Sequence, residues 1–119
     1  MTITVGTPIE RRDKTLQASF EQSAAGATDE LVADPGDGYR IVLISIIASM
    51  NAIGTMALKS GSDQMTGDMD LAAGVPWGFK GSVRNPFLEC APSEALILRT
   101  VTSAANGVII YKVIPATSF

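Results

Sequence analysis

The chain has 119 residues, a formal net charge of −3, no histidine and a single cysteine. That length is one domain around one core. The missing histidine removes the commonest general base and metal ligand, the lone cysteine excludes an intrachain disulfide or a cysteine zinc cluster, and no run of Lys and Arg offers a nucleic-acid surface.

Residues 1–13 read as an N-terminal arm. Thr2 to Val5 alternate weakly, Gly6 and Pro8 interrupt, and Glu10 to Asp13 are all charged. Such an arm either frays or orders against a neighbouring subunit or partner, and in the second case Ile3, Val5, Ile9, Arg11 and Arg12 are its candidate contact residues. Residues 14–22 give the cleanest alternation in the chain, with Leu16, Ala18 and Phe20 predicted inward and Thr15, Gln17, Ser19 and Glu21 outward. The small residues 23–26 make a turn, and residues 29–33 a short strand.

Asp34-Pro35-Gly36-Asp37-Gly38 is turn chemistry. It introduces the longest apolar run, residues 39–50, whose Ile and Val content favours a strand. Tyr39, Ile41, Leu43, Ser45 and Ile47 are predicted on one face, and Val42, Ile44, Ile46, Ala48 and Met50 on the other. Both faces are apolar, which predicts a central strand covered on both sides. Residues 54–60 alternate again, and the short gap after Met50 suggests a hairpin.

Residues 64–81 are the least regular. Met65, Met69 and Leu71 place a short strand here. Asp63, Asp68 and Asp70 fit no twelve-residue calcium loop and have no closing bidentate Glu, so they read as a solvated acidic loop. The only Trp stands in Gly74-Val75-Pro76-Trp77-Gly78-Phe79. Trp77 and Phe79 therefore mark a ligand platform, a sandwich plug or a subunit contact.

Residues 86–90 form a short strand ending at Cys90, which reads as a small buried apolar residue. Residues 95–102 form a second two-sided strand. Asn106-Gly107 is a strong short hairpin signal, which makes residues 108–114 the antiparallel partner of 95–102. Pro115 stops the ladder, and residues 116–119 are a short tail.

About eight strands at even spacing, with no amphipathic helix, predict an all-β domain over residues 14–115: an antiparallel β-sandwich of jelly-roll type. Hydrophobic residues make up 46% of the chain and charged residues 18%. That is more apolar surface than a small β-domain hides, and it predicts subunit interfaces. No leader of basic-then-apolar form is visible, and residues 41–50 are too short to span a bilayer as a helix, which takes about 20 residues. The expectation is a soluble protein made in a reducing cytoplasm, with no membrane or nucleic-acid partner, no metal and no cofactor.

Gly38-Tyr39-Arg40-Ile41-Val42-Leu43 opens a strand that leads into Ile53-Gly54-Thr55-Met56-Ala57-Leu58-Lys59-Ser60-Gly61. Then follow Phe87-Leu88-Glu89-Cys90-Ala91-Pro92-Ser93-Glu94-Ala95-Leu96-Ile97-Leu98-Arg99-Thr100 and Asn106-Gly107-Val108-Ile109-Ile110-Tyr111-Lys112-Val113. This series resembles the small jelly-roll decoration (cement) and head structural proteins of tailed bacteriophage virions. Pro92-Ser93 departs from the Ala-Gly or Gly-Gly of that pattern. The resemblance implies a non-enzymatic capsid decoration subunit on the virion surface, made in the host cytoplasm. It would bind the major capsid protein, stabilise the head and form a homotrimer, and the resemblance brings no catalytic residue. The alternative is a glycan- or receptor-binding β-sandwich module of a phage tail or appendage, with Trp77 and Phe79 stacking on the ligand.

Overall fold

The alternation between residues 16 and 22 does what its period requires. In the computed structural model, which describes residues 3–24 and 26–117, Ala18, Phe20 and Gln22 are buried while Gln17, Ser19 and Glu21 are exposed. Among the described residues there are twelve strands and no helix. They are β1 (Ile3–Val5), β2 (Ile9–Glu10), β3 (Leu16–Gln22), β4 (Thr28–Val32), β5 (Tyr39–Met50) and β6 (Gly54–Ser60), then β7 (Asp63–Gln64), β8 (Met69–Leu71), β9 (Trp77–Phe79), β10 (Leu88–Glu89), β11 (Leu96–Val101) and β12 (Ala105–Pro115).

Two antiparallel sheets share these strands and pack face to face. The first runs β1-β3-β12-β5-β10, with β2 also on β3 and β9 also on β5; the second runs β4-β11-β6-β7, with β8 also on β6. Early strands pair with late ones: β3 with β12, β4 with β11, β5 with β9 and β10, and β6 with β7 and β8. A long hairpin rolled on itself gives this pairing, which is the jelly-roll winding. The short pairs β7/β8 and β9/β10 each fill one position of the roll, so eight positions hold ten strands. The extra pair β1/β2 extends the edge of the first sheet.

Two expected hairpins do not form. β5 and β6 lie in different sheets, and so do β11 and β12. Each of these strands is apolar enough to pack inward, and crossing between sheets lets consecutive strands bury their apolar faces against each other. Asn106 and Gly107 sit inside β12, opposite Ser49 and Ala48 of β5. Gly107 is needed for close approach rather than for a turn. A Cβ there would overlap the Ile47 carbonyl oxygen and lie 2.9 Å from the Ala48 Cα. The turn before β5 is as expected: Gly36 and Gly38 have φ of 97° and 84°, and the Asp34 carboxylate accepts from the Gly36 N–H at 2.8 Å.

The faces of β5 differ from strict alternation. Ile110 pairs with Ser45 but Tyr111 pairs with Leu43, which leaves Ile44 as an extra, bulged residue. Inward-facing side chains are therefore Ile41 and Leu43 before the bulge, and Ile46, Ala48 and Met50 after it. Ile47, expected beside Leu43, is turned outward and is 62% exposed. The core joins these residues to Phe20, Leu31, Met56, Leu58, Leu96, Leu98 and Ile109 from both sheets.

The expected arm is part of the sandwich. Ile3, Thr4 and Val5 pair with Gln22, Glu21 and Phe20, and Ile3 is only 7% exposed within the core. The weak alternation carried the strand signal, and Ile3 caps the apolar edge beside Phe20. Met1, Thr2, the turn residue Ala25 and the tail residues Ser118 and Phe119 lie outside the described residues. The tail's first residue continues the ladder, with the Ala116 N–H donating to the Gly38 carbonyl at 2.7 Å.

Candidate functional site

The outer face of the first sheet carries a broad concavity. Three local features build it. β12 runs continuously and turns Val108 and Ile110 outward, opposite Ile47 and Ser45 of β5. The bulge at Ile44 sets the phase that points Ile47 to the same side. The edge position next to β5 is split: β9 pairs with Ile46, Ile47 and Ala48, and β10 with Leu43 and Val42, while residues 80–87 leave the ladder between them. Ser45 holds that excursion, its Oγ accepting from the Gly81 N–H at 2.9 Å.

The groove has a volume of 540 Å³, with Ile47, Val108 and Ile110 among its apolar lining and Trp77 and Phe79 at its edge. Among the described residues, the ionised groups lining it are Arg11 and Lys80. Arg11 is placed by the tight turn after β2, where its N–H donates to the Thr15 carbonyl at 2.8 Å and its own carbonyl accepts from Lys14 at 3.0 Å. Lys14 adopts φ 69° there. Asp13 accepts from the Thr15 hydroxyl and N–H, and these bonds hold its carboxyl below the usual carboxylate range, with a smaller contribution from Arg11.

Of the residues singled out from sequence, the structure brings Arg11, Trp77 and Phe79 to this one groove. Ile9, 64% exposed, lies in line with it across β3, since Ile9 pairs with Gln17 and Gln17 with Ile110. Arg12 does not line this groove and borders a separate depression with Glu10, Arg11 and Asp13, and Ile3 belongs to the core. Trp77 and Phe79 are not an open stacking platform. Phe79 stacks on Phe87 with centroids 4.8 Å apart, and Trp77 meets Phe87 edge-on at 5.8 Å. Phe79 keeps 43% of its surface exposed. Sequence reasoning missed Ile47, Lys80, Val108 and Ile110, which come from separate segments and share a face only because of the bulge and the split edge.

A second, smaller groove of 370 Å³ continues along the same face. Val42, Ile44 and Ile114 line it together with Arg84, Lys112 and Glu89.

Elsewhere the reactive side chains are engaged in holding the fold. Cys90 is 1% exposed, and burial pushes its thiol up to about 11, which the Ser60 hydroxyl beside it only partly offsets. Ser60 donates to the Glu94 carboxylate at 2.6 Å and accepts from the Ala91 N–H at 2.9 Å, pinning the turn before β11. Asp68 pairs with Arg99 at 3.0 Å, while Asp63 and Asp70 lie in β7 and β8. Among the described residues no three His, Cys, Asp or Glu side chains are grouped to hold a metal ion, and no helix is long and apolar enough to cross a membrane. What the outer face offers chemically is binding: apolar contact area bordered by cations.

No protein-family model matches the chain, and no curated protein matches it.

Proposed function

We propose that the protein is a non-enzymatic virion structural subunit, a capsid decoration or cement protein of a tailed phage. It acts by adhering to the outer surface of the head. The observation that carries this reading is the jelly-roll sandwich whose outer face keeps large aliphatic side chains in water. Ile9, Ile47 and Val108 are all exposed there, and contiguous exposed apolar surface of this kind marks an interaction site. The motifs shared with the phage proteins also lie on the strands that build the roll: residues 38–43 open β5, 53–61 cover β6, 87–100 span β10 and β11, and 106–113 fall in β12. A subunit of this kind adds buried area between capsid proteins and resists the pressure of packaged DNA without any chemical step. The partner is the major capsid protein, and a homotrimer is the favoured assembly.

Two measurements test this. Light scattering over a dilution series gives the native mass, for which a trimer is expected. Co-sedimentation with tailed-phage heads assembled from a major capsid protein should be saturable, with a fixed number of copies per head. Heads that pellet without the protein would refute the reading.

A second reading is favoured by one observation, the presence of Trp77 and Phe79 at the edge of the groove. In that reading the domain is a glycan- or receptor-binding module of a tail or appendage. A glycan array probed with the wild type and with Phe79→Ala tests it. Phe79 is the more exposed ring, and glycan binding lost in that variant with the unfolding midpoint retained would favour it over capsid adhesion.

A further inference from the structure

The charges of this chain are not evenly distributed. The chain is net negative, with twelve acids against nine bases. Yet the two grooves on the outer face of the first sheet are lined by Arg11, Lys80, Arg84 and Lys112 and by a single acid, Glu89. Four of the twelve acids, Asp29, Glu30, Asp63 and Asp70, lie in β4, β7 and β8 of the second sheet, while Glu10 and Asp13 lie beside Arg11 around the turn after β2. Among the described residues, Arg11 and Lys80 make no ion pair and no side-chain hydrogen bond; the two salt bridges present are Lys14–Glu10 and Arg99–Asp68. The cations around the larger groove are therefore outside any close ion pair, Arg11 feeling Asp13 only at longer range, and they border apolar side chains that face water.

We propose that this groove is a docking site for an extended, apolar segment of a partner protein that carries carboxylates at its ends. Ile47, Val108 and Ile110 receive the apolar side chains, and Arg11 and Lys80 receive the carboxylates. The proposal rests on the structural reading above for the kind of partner, a protein surface, and adds its chemistry. Charge complementarity selects this occupant. A docked apolar segment would strip water from Arg11 and Lys80, which is favourable only if opposite charges replace it. The same argument rejects a two-fold pair of copies through this face. A two-fold contact puts the same patch against itself, so it would bring Arg11, Lys80, Arg84 and Lys112 of one protomer against those of the other, with one acid on each side.

Trp77 is the only tryptophan and lines the groove, so its emission reports occupancy in the intact protein. The probes are two blocked heptapeptides, Glu-Val-Thr-Ile-Thr-Val-Glu and its Lys-ended counterpart, titrated at low salt. The acidic peptide should change Trp77 emission saturably and bind about tenfold more tightly than the basic one, since two exposed ion pairs replace two repulsions. Binding should weaken as salt is raised. Arg11→Glu combined with Lys80→Glu should reverse the preference, and Ile47→Lys should remove binding by both. All three positions are exposed, and an unchanged urea midpoint verifies that each variant folds. Equal binding of the two peptides, no saturable change up to ~1 mM peptide, or binding unaffected by Ile47→Lys would each overturn the proposal. So would an Ile47→Lys variant whose only effect is to dissociate an oligomer, because the face would then be a contact between copies. None of these titrations contains capsids, so their failure leaves head co-sedimentation as an independent test of the structural role.

Discussion

Replacing Gln22 with leucine should loosen the junction between the two sheets. Gln22 is 2% exposed and stands at the end of β3 in the first sheet. Its Oε1 accepts from the Thr100 hydroxyl of β11 at 2.9 Å and from the Ala105 N–H of β12 at 3.0 Å. Its Nε2 donates to the Asp29 carboxylate of β4 at 3.0 Å. One amide thus joins four strands, two from each sheet, where the chain crosses from β3 to β4 and from β11 to β12. Leucine has about the same volume, so the loss is polar rather than a cavity. The Ala105 N–H, fully buried, would be left without its acceptor, which costs ~1–3 kcal/mol. Asp29 would lose one donor, worth ~1–2 kcal/mol because the acceptor is charged. Thr100 keeps its contacts with Ala27 and loses little. Burying leucine in place of an amide returns ~1 kcal/mol.

The net expectation is a loss of ~1–4 kcal/mol, a large share of the ~5–15 kcal/mol that holds a typical domain together. Equilibrium urea unfolding read by the single Trp77 measures it. With a slope of ~2 kcal/mol per molar, the midpoint should fall by about 0.5–2 M with the slope unchanged. A shift below ~0.3 M would refute the reasoning and mean that water or backbone movement satisfies these groups. Gln22→Glu gives a second arm. It keeps an acceptor for Ala105 but sets a second carboxylate against Asp29. Like charges raise the pair's affinity for a proton, so this variant should be weakest at neutral pH and recover part of its stability as the pH falls.

Three further outcomes follow from single observations. Ile3→Ala should cost ~2–4 kcal/mol in the same urea assay, because the side chain is buried in the core; a value near zero would mean that residues 3–5 behave as a free arm. Thr102 has φ 77°, a conformation that β-branched residues rarely adopt, so Thr102→Gly should raise stability by ~1 kcal/mol, and a loss would show that its side chain holds the turn. Cys90, buried and with its thiol pushed up to about 11, should resist a thiol-specific disulfide reagent at pH 8, where only about one molecule in a thousand is thiolate, and react promptly in urea; fast reaction in the native protein would contradict its burial.

Much of the fold was legible because the chain obeys a period of two. Residues 16–22 and 54–60 carry that period, residues 39–50 and 96–101 are apolar runs of strand length, and all four strands appear with few changes in boundary. Pairing was less legible. A short connection such as 51–53 looks the same whether it closes a hairpin or crosses between sheets, and only the packing of both apolar faces decides. Asn106-Gly107 misled for a related reason: glycine is used both where φ is positive and where another backbone comes close, and the residue type does not distinguish these. Ser93 shows the converse. It departs from the glycine-rich turn of the phage proteins, yet adopts φ 59°, the backbone state glycine would supply. Its N–H donates to the Tyr39 carbonyl at 2.9 Å and its hydroxyl to the Gly36 carbonyl at 3.2 Å, so the turn keeps its shape with a different residue.

The groove was the least legible feature, because no local pattern encodes it. Trp77 and Phe79 stood out by residue type, and Arg11 by its place in a charged run. Ile47 was assigned to the wrong face, since one inserted residue at Ile44 reverses every side chain after it. That bulge lies where β9 gives way to β10 along β5, so one irregularity turns Ile47 outward while the neighbouring edge opens to let Lys80 reach the same side. A perfectly alternating β5 would bury Ile47 and turn Ile46 out, and the apolar surface would shift to the core without any change in composition. The excess of hydrophobic residues in this chain is therefore divided by a single backbone defect into a core and an exposed face, and the cations gathered on that face give it a preference among partners.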